Sequence, residues 1–88
     1  MTNTEIKDTF NRAYNGETNF MTPNVIKYGK RGKYIYELSD GDAFMRSGRI
    51  YGVTVLTTDG EKTDMGSSFQ SKQEAEDYID QINESNKH

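Results

Sequence analysis

The chain has 88 residues, no cysteine, one histidine and a formal net charge of −3. That length makes one small domain, residues 1–88, with a modest core, and the missing cysteines exclude disulfides and thiolate metal sites as reinforcement. No apolar run approaches the ~20 residues of a membrane span and no signal-peptide pattern opens the chain, so a soluble cytoplasmic protein is expected.

Thr2 and Glu5 have the spacing of a capping box. Ile6, Phe10, Ala13 and Tyr14 follow at helical intervals, and Asn15-Gly16 suits a left-handed stop with Gly16 at the C′ position. A short N-terminal helix is predicted, one that needs docking to be stable. Phe20 and Met21 are candidate anchors of the next connection, and Pro23 marks a boundary. Val25–Tyr28 and Lys33–Leu38 predict a hairpin around Gly29-Lys30-Arg31-Gly32. In its second arm Tyr34, Tyr36 and Leu38 share one face, with Ile35 and Glu37 opposite. Ser39-Asp40-Gly41-Asp42 reads as a turn cluster, followed by a loop carrying Ala43, Phe44 and Met45.

From Ile50 to Leu56 β-branched and aromatic residues dominate, which predicts a strand with Tyr51, Val53 and Val55 on one face and Ile50, Thr54 and Leu56 on the other. Asp59-Gly60 suits a two-residue type I′ turn. The returning strand, about Lys62 to Phe69, is polar and broken by Gly66, as expected of an edge or a bulged segment. Ser71 and Glu74 form a second capping-box pattern. Ala75, Tyr78, Ile79 and Ile82 then make one apolar stripe of a C-terminal helix. The expected fold class is α+β: an antiparallel meander of about four strands, a short N-terminal helix, and a C-terminal amphipathic helix packed on the sheet. Residues 1–3 and 84–88 are expected to fray.

The chemistry of this composition is restrictive. Nucleophilic catalysis needs a base beside the nucleophile, and the only histidine is the last residue, His88. Zinc lacks ligands, Asp40-Gly41-Asp42 lacks the oxygen spacing of a calcium loop, and Gly29-x-x-Gly32 lacks the helix and Lys-Ser/Thr of a phosphate loop. No enzyme, metal or cofactor is expected.

Two surfaces remain. Charge is uneven: −1 over residues 1–23, +3 over 24–49 and −5 over 50–88. A basic middle and an acidic end can attract each other or two different partners. On the C-terminal helix Glu76, Asp77, Asp80 and Glu84 form an acidic face suited to a partner protein with a basic surface, host or self. In the first hairpin Lys27, Lys30, Arg31, Lys33 and Tyr34, with Tyr28 and Tyr36 nearby, offer an alternative contact for nucleic acid or protein. A homodimer joined at a strand edge is a third reading.

The run Tyr51-Gly52-Val53-Thr54-Val55, then Asp59-Gly60, then Phe69, Ser71, Glu74, Ala75, Tyr78 and Ile79, resembles small phage and mobile-element proteins, including host-takeover and anti-CRISPR proteins. The resemblance covers roughly the last 40 residues and transfers no individual residue role. It implies a non-catalytic inhibitor in the host cytosol that works by occupying a defence or nucleic-acid-processing protein.

Overall fold

A computed structural model describes residues 1–17, 22–42 and 48–85. The expectations placed on Phe20, Met21, Ala43, Phe44, Met45 and His88, and on the Glu84 side chain, lie outside what it describes. Helix α1 (Asn3–Ala13) precedes strands β1 (Asn24–Arg31), β2 (Tyr34–Asp42), β3 (Arg49–Thr57) and β4 (Lys62–Phe69), and helix α2 (Lys72–Ser85) follows. The strands form one antiparallel sheet in the order β1-β2-β3-β4. The α+β meander is as expected, with one addition. The helices lie on opposite faces of the sheet.

Strand alternation sets this arrangement. Tyr36 and Leu38 on β2 and Val53 and Val55 on β3 point to one side, where Ala75, Ile79 and Ile82 of α2 complete a buried cluster. Ile35 and Leu56, one residue out of phase, point to the other, where Ile6 and Phe10 of α1 cover them. A sheet buried on both faces needs apolar residues in both phases, and β2 and β3 carry them.

The helix ends follow their local signals with two corrections. At α1 both halves of the capping box form: the Thr2 N–H donates to Glu5 Oε1 at 3.0 Å and the Glu5 N–H to Thr2 Oγ1 at 3.2 Å. At its end Asn15, not Gly16, takes the left-handed C′ position (φ 54°), and the Gly16 N–H donates back to the Asn11 carbonyl at 2.8 Å, a Schellman closure. At α2 the Ser71 hydroxyl accepts from the Glu74 N–H at 3.2 Å. Among the described residues the Glu74 carboxylate gives no return bond, so this box is half-formed.

The turns differ more. Gly29–Arg31 belongs to β1, and the hairpin closes on Gly32-Lys33 alone, between the paired Arg31 and Tyr34. Gly32 has φ +60°, which fits a two-residue turn with glycine at its first central position. The second hairpin is longer: Gly60 alone is left-handed, Asp59 is not, and Thr58–Glu61 lie between the strands, with the Thr57 N–H donating to the Glu61 carbonyl at 2.9 Å. A two-residue type I′ turn needs positive φ at both positions, and β4 begins too late for one. Ser39–Asp42 is strand, not turn, paired with Gly52, Tyr51, Ile50 and Arg49 in turn. An ion pair reinforces this end: Arg49 faces Asp40 at 3.0 Å and Asp42 at 3.4 Å. β4 is both an edge strand and bulged, as its sequence indicates; Thr63 Oγ1 donates to the Val55 carbonyl at 2.9 Å where the ladder is interrupted.

Candidate functional site

The basic hairpin and the acidic helix face meet each other. Lys27 and Arg31 alternate onto the face of β1 beneath α2, and Glu76 and Asp80, one turn apart, flank the helix above them. Lys27 pairs with Glu76, and Arg31 with Asp80 at 2.8 Å. The Lys27 hydrogen bond pulls the Glu76 carboxyl below its ordinary pKa, and Glu76 raises the Lys27 ammonium in return. Two of the four hairpin cations and two of the helix acids therefore form an internal seam along the rim of the α2 core. Asp77 stays exposed and accepts from Gln73 Nε2 at 2.9 Å. Lys30 and Lys33 are exposed and, among the described residues, have no acid partner. Tyr34 is half-buried against the α2 cluster and Tyr36 is 7% exposed, so neither offers the open ring face that base stacking uses.

The outer edge of β1 differs from that of β4. Among the described residues the exposed large apolar side chains are Met1, Val25 and Ile26, and the last two are adjacent on this edge strand. Ile26 is the extra residue of a bulge: Val25 pairs with Ser39 and Lys27 with Leu38. One inserted residue turns Val25 toward the α1 side and Lys27 toward the α2 side. The strand is anchored at its start, where the Ser39 hydroxyl donates to Thr22 Oγ1 at 2.9 Å in a fully buried pair.

Beside that edge, on the α1 side, lies a cavity of about 240 Å³. Phe10 of α1 and its C-cap residue Tyr14, Val25 and Tyr28 of β1, Glu37 of β2 and Thr54 of β3 contribute to its walls. Glu37 sits centrally because it pairs across the sheet with Tyr28 on one side and Thr54 on the other. Burial raises the Glu37 carboxyl above its ordinary pKa, against a lowering hydrogen bond from the Tyr28 phenol. The phenol is pushed up to about 12, by burial first and then by the Glu37 charge. Tyr14 is raised by burial and by the same charge. The Phe10 ring lies 5.7 Å from Tyr28 and 6.3 Å from Tyr14, centroid to centroid. The Lys62 ammonium already sits over the Tyr14 ring at 4.7 Å.

No protein-family model, curated protein or solved structure matches this chain. What it can do therefore rests on its own geometry. Among the described residues no group of three or more His, Cys, Asp or Glu could hold a metal ion, and no helix is long and apolar enough to cross a membrane.

The charged runs are conspicuous in the sequence and Glu37 is not. A signal was present all the same. Glu37 shares its face with Ile35, between flanking Tyr36 and Leu38, so it is a charged residue at a core-phase position of an inner strand. That is an unfavourable place for a carboxylate.

Proposed function

We propose that this protein is a small, non-enzymatic protein-binding module, and that its contact surface is the outer edge of β1 rather than the acidic face of α2. The observation that carries the reading is the adjacent exposed pair Val25-Ile26 on a strand that, among the described residues, has no strand paired to its outer edge. A partner segment can add to such an edge through main-chain hydrogen bonds, with side-chain pockets supplying selectivity. The bulge and the exposed Lys30 guard the same edge against indiscriminate pairing. The internal pairing of Lys27 and Arg31 leaves few cations for phosphates, which weighs against nucleic acid as the partner. With the resemblance to small phage and mobile-element proteins, this reading extends to an inhibitor that occupies a host protein in the cytosol.

The test compares surfaces. A photo-reactive side chain at Ile26 and another at Asp77 are introduced separately into the full chain, and covalent adducts formed in host lysate are identified. Adducts specific to position 26, lost when Val25→Asp is combined with the crosslinker at position 26 in the same tagged chain, are expected. Adducts specific to position 77 and indifferent to Val25→Asp would move the contact to α2.

A further inference from the structure

The cavity beside β1 has an unusual wall. Its charged lining groups are carboxylates, Glu37 at the centre and Glu17 at the rim, and none of the described lining residues is basic. Three of the seven other described lining residues are aromatic. Phe10, Tyr14 and Tyr28 surround the space next to the Glu37 carboxylate. Rings whose electron-rich faces flank a negative charge attract organic cations by quadrupole and Coulomb terms together. The molecule already shows the first of these, since the Lys62 ammonium rests 4.7 Å from the Tyr14 ring centroid. At about 240 Å³ the space is several times the ~30 Å³ share of a water in the liquid. It admits a four-carbon stem with an ammonium at its end.

Glu37 is also a carboxylate held where folding disfavours its charge. Burial raises its pKa, whereas partners lower Glu5 and Glu76. The Tyr28 phenol takes only part of its hydrogen-bonding capacity, since an ionised carboxylate offers about four acceptor sites. A cation brought into the cavity would use the rest.

We propose that this cavity receives a lysine side chain of the protein bound along β1, with the Glu37 carboxylate pairing the ammonium and Phe10, Tyr14 and Tyr28 enclosing its stem. This rests on the β1-edge reading, because Val25 and Tyr28 belong both to that strand and to the cavity wall. The partner is an extended segment that places a lysine beside its contact with Val25.

The probe is Nα-acetyl-lysine N-methylamide, with the norleucine analogue as an uncharged control of the same stem length. Both are titrated into the isotope-labelled full chain and followed by NMR. The lysine probe is expected to give saturable shifts at the amides of Tyr28, Glu37 and Thr54, with a dissociation constant on the order of 1–10 mM. Glu37→Gln, its fold confirmed by an unchanged spectrum elsewhere, is expected to weaken it roughly tenfold. Equal binding of norleucine, shifts confined to other surfaces, or an unaltered affinity in Glu37→Gln would overturn the proposal. Binding that emerges only in Phe20→Ala would assign the cavity to the chain's own residues 18–21 and would overturn it equally. The two readings fail separately. A position-26 crosslinking partner that Glu37→Gln still retains at full strength keeps the β1 edge and removes the lysine. A lysine probe that saturates the cavity, with no partner crosslinking at position 26, keeps the pocket chemistry and removes the edge.

Discussion

The two faces of the sheet carry the same strands and opposite commitments. On the α2 side, seven buried side chains among the described residues form a continuous cluster, Phe69 and Tyr78 pack at 5.3 Å, and the Lys27–Glu76 and Arg31–Asp80 pairs close the rim. On the α1 side the buried cluster among the described residues is four, and the sheet beside it carries Glu37 and a cavity. The difference follows from helix length and position. Helix α2 has 14 residues and touches all four strands, whereas α1 has 11 and packs mainly on β1 and β2. A domain this small has little apolar surface to bury, and among the described residues more of it lies on the α2 face. The other face is then free to hold a polar group that folding alone would reject.

The sharpest break of this contrast would come from the cores. Ile79→Ala and Ile6→Ala delete the same atoms from residues that are each 2% exposed. Each should lower unfolding free energy by about 2–5 kcal/mol in urea denaturation, with Ile79 toward the upper end because its surroundings are denser. Equal losses would mean that α1 contributes as much as α2. Next in size, Thr2→Ala removes the α1 cap and should lower stability by about 0.5–2 kcal/mol. Amide exchange should accelerate in α1 while α2 stays protected; acceleration in both would show that the faces are coupled.

A smaller effect belongs to the seam. Lys27→Met and Asp80→Asn each remove one exposed ion pair and should cost under about 1 kcal/mol, an effect that shrinks as salt is added. A larger, salt-independent loss would make the seam part of the core.

The smallest effect carries an inverted sign. The folded-state pKa of Glu37 is raised above its unfolded value. Between those two values the folded chain holds more protons, so this group's contribution to stability is greatest below the ordinary carboxylate range and is lost as pH rises through the raised value. Glu37→Gln should therefore stabilise the protein near neutral pH, with the gain vanishing below the ordinary carboxylate range. Thermal melts across that range would show it. A destabilised Gln variant at neutral pH would mean that Glu37 is held for folding and not for binding.

Much of the architecture was legible because it is encoded locally. The alternation from Tyr34 to Leu38 and from Ile50 to Leu56 fixes which side chains share a face. The stripe Ala75, Tyr78, Ile79, Ile82 and the Thr2/Glu5 pair mark the helices. The turns were less legible. Asp59-Gly60 has the composition of a tight hairpin, yet which residues turn depends on where both strands stop pairing, and only register decides that. The Ile26 bulge is equally silent in sequence, although it turns Val25 and Lys27 to opposite sides. The acidic and basic runs were both visible as surfaces. Their pairing with each other was one of two outcomes that charge alone allowed.

The sequence by itself determined the elements, their order and the apolar phase of each, since these depend on residues within a few positions of one another. Only the tertiary structure decided that the helices take opposite faces, that Lys27 and Arg31 are neutralised by Glu76 and Asp80, and that Glu37 stands among Phe10, Tyr14 and Tyr28. Those facts depend on groups far apart in the chain, brought together by register and by how far each helix reaches across the sheet.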